Sequence, residues 1–193
     1  RTPRLCGSRY TGKPEEEKVE LFNNVIYNYG SDGAYAGEGG SYNFLANYYK
    51  PGPFTATKGS YKRLFTAYAD DGKNKNAAGT HGVFYFNDNY VDPSCPKLSD
   101  KQKADIYKIQ RDNSYGLIIK KDFAPEKELL AEKPFDIAEH TSLQSARKAY
   151  KSVLDYAGAS LKRDVIDARI VEETRKGNYT HEGSHGSTNG MID

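Results

Sequence analysis

The 193-residue chain carries 28 Lys and Arg against 26 Asp and Glu, a formal net charge of +2, and combines 16 Tyr and 18 Gly with one Met and no Trp. That length can bury one sizeable core, and so even a charge balance gives no reason to expect a nucleic-acid partner. No apolar run approaches membrane-spanning length, so a soluble protein with no membrane partner is expected.

The chain opens on Arg1-Thr2-Pro3-Arg4 without an initiator Met, which reads as a piece of a longer precursor. Cys6 and Cys95 lie far apart, and spacing does not fix whether they pair. The informative region is 19–93, where one pattern recurs. An apolar or aromatic stretch, an Asn and two aromatic or β-branched residues appear around Asn24-Val25-Ile26, Asn47-Tyr48-Tyr49 and Asn89-Tyr90-Val91. Asn24 and Asn47 are 23 residues apart, and Asn47 and Asn89 are 42 apart, close to twice that interval. Periods in this range mark repeat architectures.

Turn-forming runs at 30–33 and 37–40 separate the strands, and no ten-residue helical pattern lies between them, so a βαβ sheet fits poorly. Stacked repeats would bring the three Asn above one another in a hydrogen-bonded ladder. An antiparallel sandwich of short strands is the competing architecture. Residues 70–80 read as an exposed loop, and 97–133 as a charged, mixed segment with one strand at 115–119.

The tail changes character. Thr141 or Ser142 can cap a helix through Ala146, Tyr150 and Leu154 that Gly158 stops, and a second helix is expected over 163–175 with Gly177 at its end. The division implied is 1–140 for strand repeats with loops and 141–193 for a helical cap and tail, with 178–190 loose.

Arg1, Arg4 and Arg9 form the first candidate site, because guanidinium groups lining a groove hold carboxylates bidentately. The competing account is ordinary solvated surface charge. His81, His140, His181 and His185 do not form a metal-binding spacing, so no metal site is expected from them.

Arg1-Thr2-Pro3-Arg4, followed by a strand ending Asn23-Asn24-Val25-Ile26-Tyr27-Asn28, resembles the Arg-x-Pro-Arg element and following Asn-Asn strand of the pectate lyase family, polysaccharide lyase family one. Asn47-Tyr48-Tyr49-Lys50-Pro51-Gly52-Pro53 resembles the next coil of its bacterial members. So does the tail at Ala157-Gly158-Ala159-Ser160-Leu161, Arg163-Asp164 and Asp167-Ala168-Arg169-Ile170-Val171. Segments 54–81 and 97–133 match least.

The resemblance implies an all-β fold, the C-terminal coils of a right-handed parallel β-helix with C-terminal flanking helices. It implies a bacterial-type, secreted, periplasmic or cell-surface enzyme that cleaves acidic plant polysaccharide (polygalacturonate) by β-elimination, incomplete without the N-terminal portion of the same protein. Arg1 matches the arginine that removes the C5 proton of galacturonate, and Arg4 belongs to the same motif. The family's further arginine, five positions on, is replaced here by Cys6, with Arg9 as the nearby alternative. Lys50, Lys62 and Arg63 are further candidates for contact with the polysaccharide. Calcium is the implied cofactor, held by acidic residues on coils that would precede this chain. Glu15-Glu16-Glu17 and Asp70-Asp71 read as solvated loops. Two other functions stand beside the lyase. One is a module that binds acidic glycan without cutting it. The other is a hydrolase, for which no paired carboxylates at suitable separation are evident.

Overall fold

A computed structural model describes residues 3–30, 33–120, 126–183 and 188–190. Ten strands of two to five residues run through the first two thirds of the chain. They are β1 (Arg4–Leu5), β2 (Lys18–Phe22), β3 (Val25–Tyr27), β4 (Ala34–Ala36), β5 (Ser41–Leu45), β6 (Tyr48–Lys50), β7 (Phe65–Ala67), β8 (Val83–Asn87), β9 (Tyr90–Val91) and β10 (Leu117–Ile119). A short helix α1 (Gly7–Thr11) follows β1; then come α2 (Asp100–Arg111), α3 (Glu126–Leu129), α4 (Ala146–Tyr156) and α5 (Val165–Lys176).

The strands form three sheets, ordered β1-β4-β7-β10, β2-β5-β8 and β3-β6-β9. Every pairing among the described strands is parallel, which removes the antiparallel sandwich. The sequence repeat sets the register: Val25 pairs with Tyr48 and Tyr48 with Tyr90, each one position after its Asn.

The Asn ladder forms as the spacing predicts. Asn24 Nδ2 donates to Asn47 Oδ1 at 2.9 Å, Asn47 Nδ2 to Asn89 Oδ1 at 2.9 Å, and Asn89 Nδ2 to Asn113 Oδ1 at 3.1 Å. Each Oδ1 also accepts the backbone N–H of the preceding rung's Asn, so the side chains satisfy the amides where the chain bends between sheets. Rings stack inside the layers: Tyr42 and Phe84 have centroids 5.0 Å apart, Phe65 and Phe84 4.7 Å, and Phe44 and Phe86 5.1 Å.

The all-β expectation, and with it the assignment as a right-handed parallel β-helix, is overturned. Helices α2, α4 and α5 run for 12, 11 and 12 residues, whereas no strand among the described residues exceeds five. The chain is a mixed α and β fold with three short parallel sheets. Helix α2 falls in the segment read as irregular, where a capping box closes its first turn: Ser99 Oγ accepts from Gln102 N, and Gln102 Oε1 accepts from Ser99 N. Its buried residues are only Ile106 and Ile109, which pack with Val91 and Leu98, so the remaining face is charged.

Helices α4 and α5 form in the tail as expected, but α4 starts later than the Thr141 or Ser142 cap read from the sequence and has its C-cap at Ala157, one residue before Gly158. Ser145 takes the N-cap position of α4, and Asp164 caps α5 by accepting from Ile166 N and Asp167 N. Gly177 ends α5 at φ 70°, the left-handed conformation that glycine enters without strain.

The described tail is tied down rather than loose. Tyr27 Oη donates to Asn178 O at 2.6 Å, and Asn28 Nδ2 donates to Asn189 O at 3.0 Å. Glu173 on α5 accepts from Thr180 N at 3.0 Å and pairs with Arg169 at 3.0 Å. Burial alone would raise its pKa, but Thr180 and Arg169 stabilise the carboxylate more and hold it below the ordinary value. A depressed carboxylate lends stability above its unfolded pKa of about 4.3 and loses it as pH falls through the lower folded value. The melting temperature should therefore drop as pH is lowered below about 4.3, and Glu173→Gln should lower it at neutral pH and flatten that acid dependence. Identical acid profiles for the two proteins would remove Glu173 from the account.

The two ends of the stack differ. Beyond β8, Ala131 N donates to Phe84 O at 2.9 Å, and beyond β9, Gln110 Nε2 donates to Val91 O at 2.7 Å. At the other end β1, β2 and β3 each have a neighbouring strand on one side only, among the described residues. A cavity of about 240 Å³ opens there against Leu21, Ile26 and Phe44.

Candidate functional site

The four-stranded sheet carries a row of cations and rings. Arg4 on β1 registers with Tyr35 on β4, and Tyr35 with Thr66 on β7. Two residues beyond Thr66, on the same side of the pleat, comes Tyr68. Arg4 Cζ lies 5.7 Å from the Tyr35 ring centre, the Tyr35 and Tyr68 rings are 5.6 Å apart, and Lys120 Nζ stands 4.4 Å over the Tyr68 ring. Two rings flanked by two cations thus cross the strands.

Behind Arg4 sits Glu38, only 2% exposed, in the Gly-rich turn after β4. Gly40 in that turn has φ 105°, and a Cβ there would stand 2.7 Å from Glu17 O, so the chain needs glycine to bend so close. Glu38 Oε1 pairs with Arg4 Nη2 at 3.1 Å and with Arg9 Nη1 at 3.3 Å. Arg9 also reaches Asp71 Oδ1 at 2.9 Å. Asn74, with its amide oxygen turned toward Arg9, accepts from Nη2 and Nε at 2.7 Å each. Asn76 donates to Ser8 Oγ at 3.2 Å and to Glu38 O at 2.8 Å. The segment read as an exposed loop, 70–80, is therefore folded down at Asp70 and Asn76, both buried.

Burial alone would lower the Arg4 pKa, but the Glu38 carboxylate outweighs it and holds the pKa above the ordinary value. Arg4 is thus a fixed cation suited to holding an anion, and unsuited to taking a proton. Replacing Glu38 by Gln removes the charge that both guanidiniums share. Arg9 keeps Asp71 and Arg4 is a third exposed, so the expected loss is about 1–3 kcal/mol in chemical denaturation, less than for a sealed ion pair. A change below about 0.5 kcal/mol would mean that Glu38 does not anchor this cluster.

The structure brings together two of the six residues singled out from sequence, Arg4 and Arg9. Arg1 lies outside the described residues, as does His185. Lys50 is buried on β6 beneath α4 and α5, where Nζ donates to Tyr150 Oη and to Arg175 O at 3.1 Å each and stands 3.8 Å from Asp92. Lys62 and Arg63 are half-buried ahead of β7, with Lys62 adding to the field that lowers the Asp105 pKa, chiefly after the Tyr61 hydrogen bond.

Sequence reasoning missed Glu38, Tyr35, Tyr68 and Lys120. A signal for the rings was present: Ala-Tyr-Ala occurs at 34–36 and again at 67–69. Both cysteines are free thiols, Cys6 half-buried and Cys95 buried.

No family model matches the chain. It is 29% identical over 170 residues to a probable pectate lyase C of Neosartorya fischeri, covering 86% of this chain and 34% of that protein. It is 28% identical over 187 residues to a probable pectate lyase C of Aspergillus fumigatus, covering 94% of this chain and 36% of that protein. The chain is related to proteins named as pectate lyases. It spans about a third of the length of these relatives.

Pectate lyases, as the resemblance implies, work with calcium, which needs several oxygen ligands. Among the described residues no group of three or more His, Cys, Asp or Glu is placed to hold a metal. Glu38 and Asp71 are engaged by guanidiniums, Glu16 pairs with Lys13 at 2.7 Å, and Glu17 accepts from Gly7 N at 3.2 Å at the start of α1. The described residues do not fit a calcium site.

Proposed function

We propose that this chain carries part of the polygalacturonate site of a pectate lyase, an enzyme that cleaves by β-elimination. The observation that carries the reading is the Arg4–Arg9 pair, held together on Glu38 at one end of the Tyr35–Tyr68–Lys120 row. The two relatives named probable pectate lyase C support it.

The chemistry asks for such a surface. Removing the C5 proton of a uronate places a second negative charge beside its carboxylate, and nearby cations stabilise that charge as it develops. The base takes the proton, the electron pair forms the C4=C5 double bond, and the C4–oxygen bond breaks with the leaving chain. Arg1 is proposed as the base, Arg4 and Arg9 as carboxylate-holding cations, and Lys62 and Arg63 as outlying contacts. Lys50, enclosed by Tyr150 and Arg175, is left out. Calcium is proposed to bind through residues outside this chain, and the protein to act outside the cell or at its surface.

The test uses the full-length protein on polygalacturonate. Ultraviolet absorbance from the conjugated C4=C5 bond should rise, fall away with a chelator, and disappear in Arg1→Ala. No rise from the wild type would overturn the reading. Retention on polygalacturonate without product would select the second reading, a non-catalytic acidic-glycan module.

A further inference from the structure

On a different sheet from Arg4, a cleft of about 400 Å³ opens between the β6–β9 edge and the first turns of α4. Its walls are Tyr48, Tyr90, Arg147, Lys148, Tyr150 and Lys151. The rings are held in fixed positions. Tyr48 and Tyr150 stack with centroids 4.3 Å apart, Tyr48 and Tyr90 lie 5.2 Å apart, and Tyr48 Oη donates to Asp92 Oδ2 at 2.9 Å. Arg147 Cζ stands 4.5 Å over the Tyr90 ring, which holds the guanidinium at the cleft while its edge faces solvent.

The three cations are exposed, and among the described residues none of them forms an ion pair. Asp155 pairs with Arg175, while Asp88, brought to the helix start by the fold, accepts Ala146 N at 3.3 Å through Oδ2 and offsets part of the charge of the first turn. Three like charges within two turns repel one another, and Arg147 and Lys148 stand in the first turn, where a cation also opposes the helix dipole. The arrangement costs stability, and an anion in the cleft would relieve it. The polar tips and ring edges beside the cations suit a hydroxylated ring better than an acyl chain.

We infer that the Arg147–Lys148–Lys151 cleft is a second binding site for an acidic glycan chain, in which the cations hold uronate carboxylates and the half-buried Tyr90 and Tyr150, backed by the buried Tyr48, contact the sugar rings. The choice of uronate over other polyanions rests on the proposed function. A polymer held at this site as well as at the Arg4 face gains apparent affinity because the second contact is intramolecular.

Affinity electrophoresis of the full-length protein in polygalacturonate gels containing a chelator tests this without cleavage. The wild type should be retarded, and R147E/K151E should lose about tenfold in apparent affinity. K101E/K108E on α2, with the same change in net charge, should stay within about twofold. Arg147→Gln with Lys151→Gln should fall between, and the circular dichroism spectra should match. Equal losses in the two charge-reversed proteins, or wild-type retardation of R147E/K151E, would overturn the inference, as would stronger retention by DNA or anionic vesicles. Product formation is measured separately. A protein that makes unsaturated product but binds independently of Arg147 and Lys151 loses only this second site. One that binds through them yet makes no product loses only the lyase reading.

Discussion

Phe84→Ala should lower the unfolding free energy by about 3–5 kcal/mol, a third or more of a typical domain's stability. The Phe84 ring is fully buried and lies within 5.0 Å of the Tyr42 ring and 4.7 Å of the Phe65 ring. Gly37 gives it room, since a Cβ on that glycine would stand 2.7 Å from Phe84 Cζ. Truncation therefore removes the transfer free energy of the ring, leaves a void among rigid neighbours and breaks the ring pairs with Tyr42, Phe65 and Phe86. The denaturation midpoint should move with the slope unchanged, because the same surface is exposed on unfolding. A loss below about 1 kcal/mol would mean that the layers collapse around the gap, contrary to close ring packing.

Asn47→Ala should cost about 3 kcal/mol, out of proportion to the few atoms removed. Asn47 is fully buried, and its amide donates to Leu21 O at 2.7 Å and to Asn89 Oδ1 at 2.9 Å, while its Oδ1 accepts from Asn24 N at 3.0 Å and from Asn24 Nδ2 at 2.9 Å. Alanine leaves those partners desolvated and unpaired. Asn24, the exposed first rung, can exchange its lost bonds for water, so Asn24→Ala should cost about 1 kcal/mol. Equal losses at the two rungs, measured side by side in urea, would show that burial does not set the strength of the ladder.

That ladder was the most legible feature of the sequence, because one residue type recurs at a fixed place in a recurring apolar and aromatic frame. The pairs β2–β3, β5–β6 and β8–β9 followed from it, and α4 and α5 from apolar spacing with Gly177 as a stop. Of the four-stranded sheet only β10 was legible, inside the strand read at 115–119; the other strands have two or three residues, too few for alternation to show. Helix α2 was missed because two buried isoleucines are a weak apolar stripe, although Ser99 and Gln102 spelled its cap. With it went the fourth rung, Asn113, which follows Asn89 by 24 residues but is reached only after that helix. The mistaken all-β assignment came from the family resemblance, and missing α2 left it standing.

At the site, arginine content was readable and its control was not. Glu38 lies 34 residues from Arg4, in a glycine-rich stretch that looks like any turn until the strands align. The carboxylate that holds two guanidiniums in place is a product of topology. So is the burial of Lys50, whose position after a strand gave no hint that α4 and α5 would close over it.

The unlike ends of the stack give the molecule a direction. Ala131 and Gln110 engage the carbonyls of Phe84 and Val91 at one end, while at the other β1, β2 and β3 have, among the described residues, no strand on their outer side. A further parallel strand, from the same protein or from a second copy, would find a template there, and a proline or lysine set into β2 would disfavour that pairing without touching the aromatic layers.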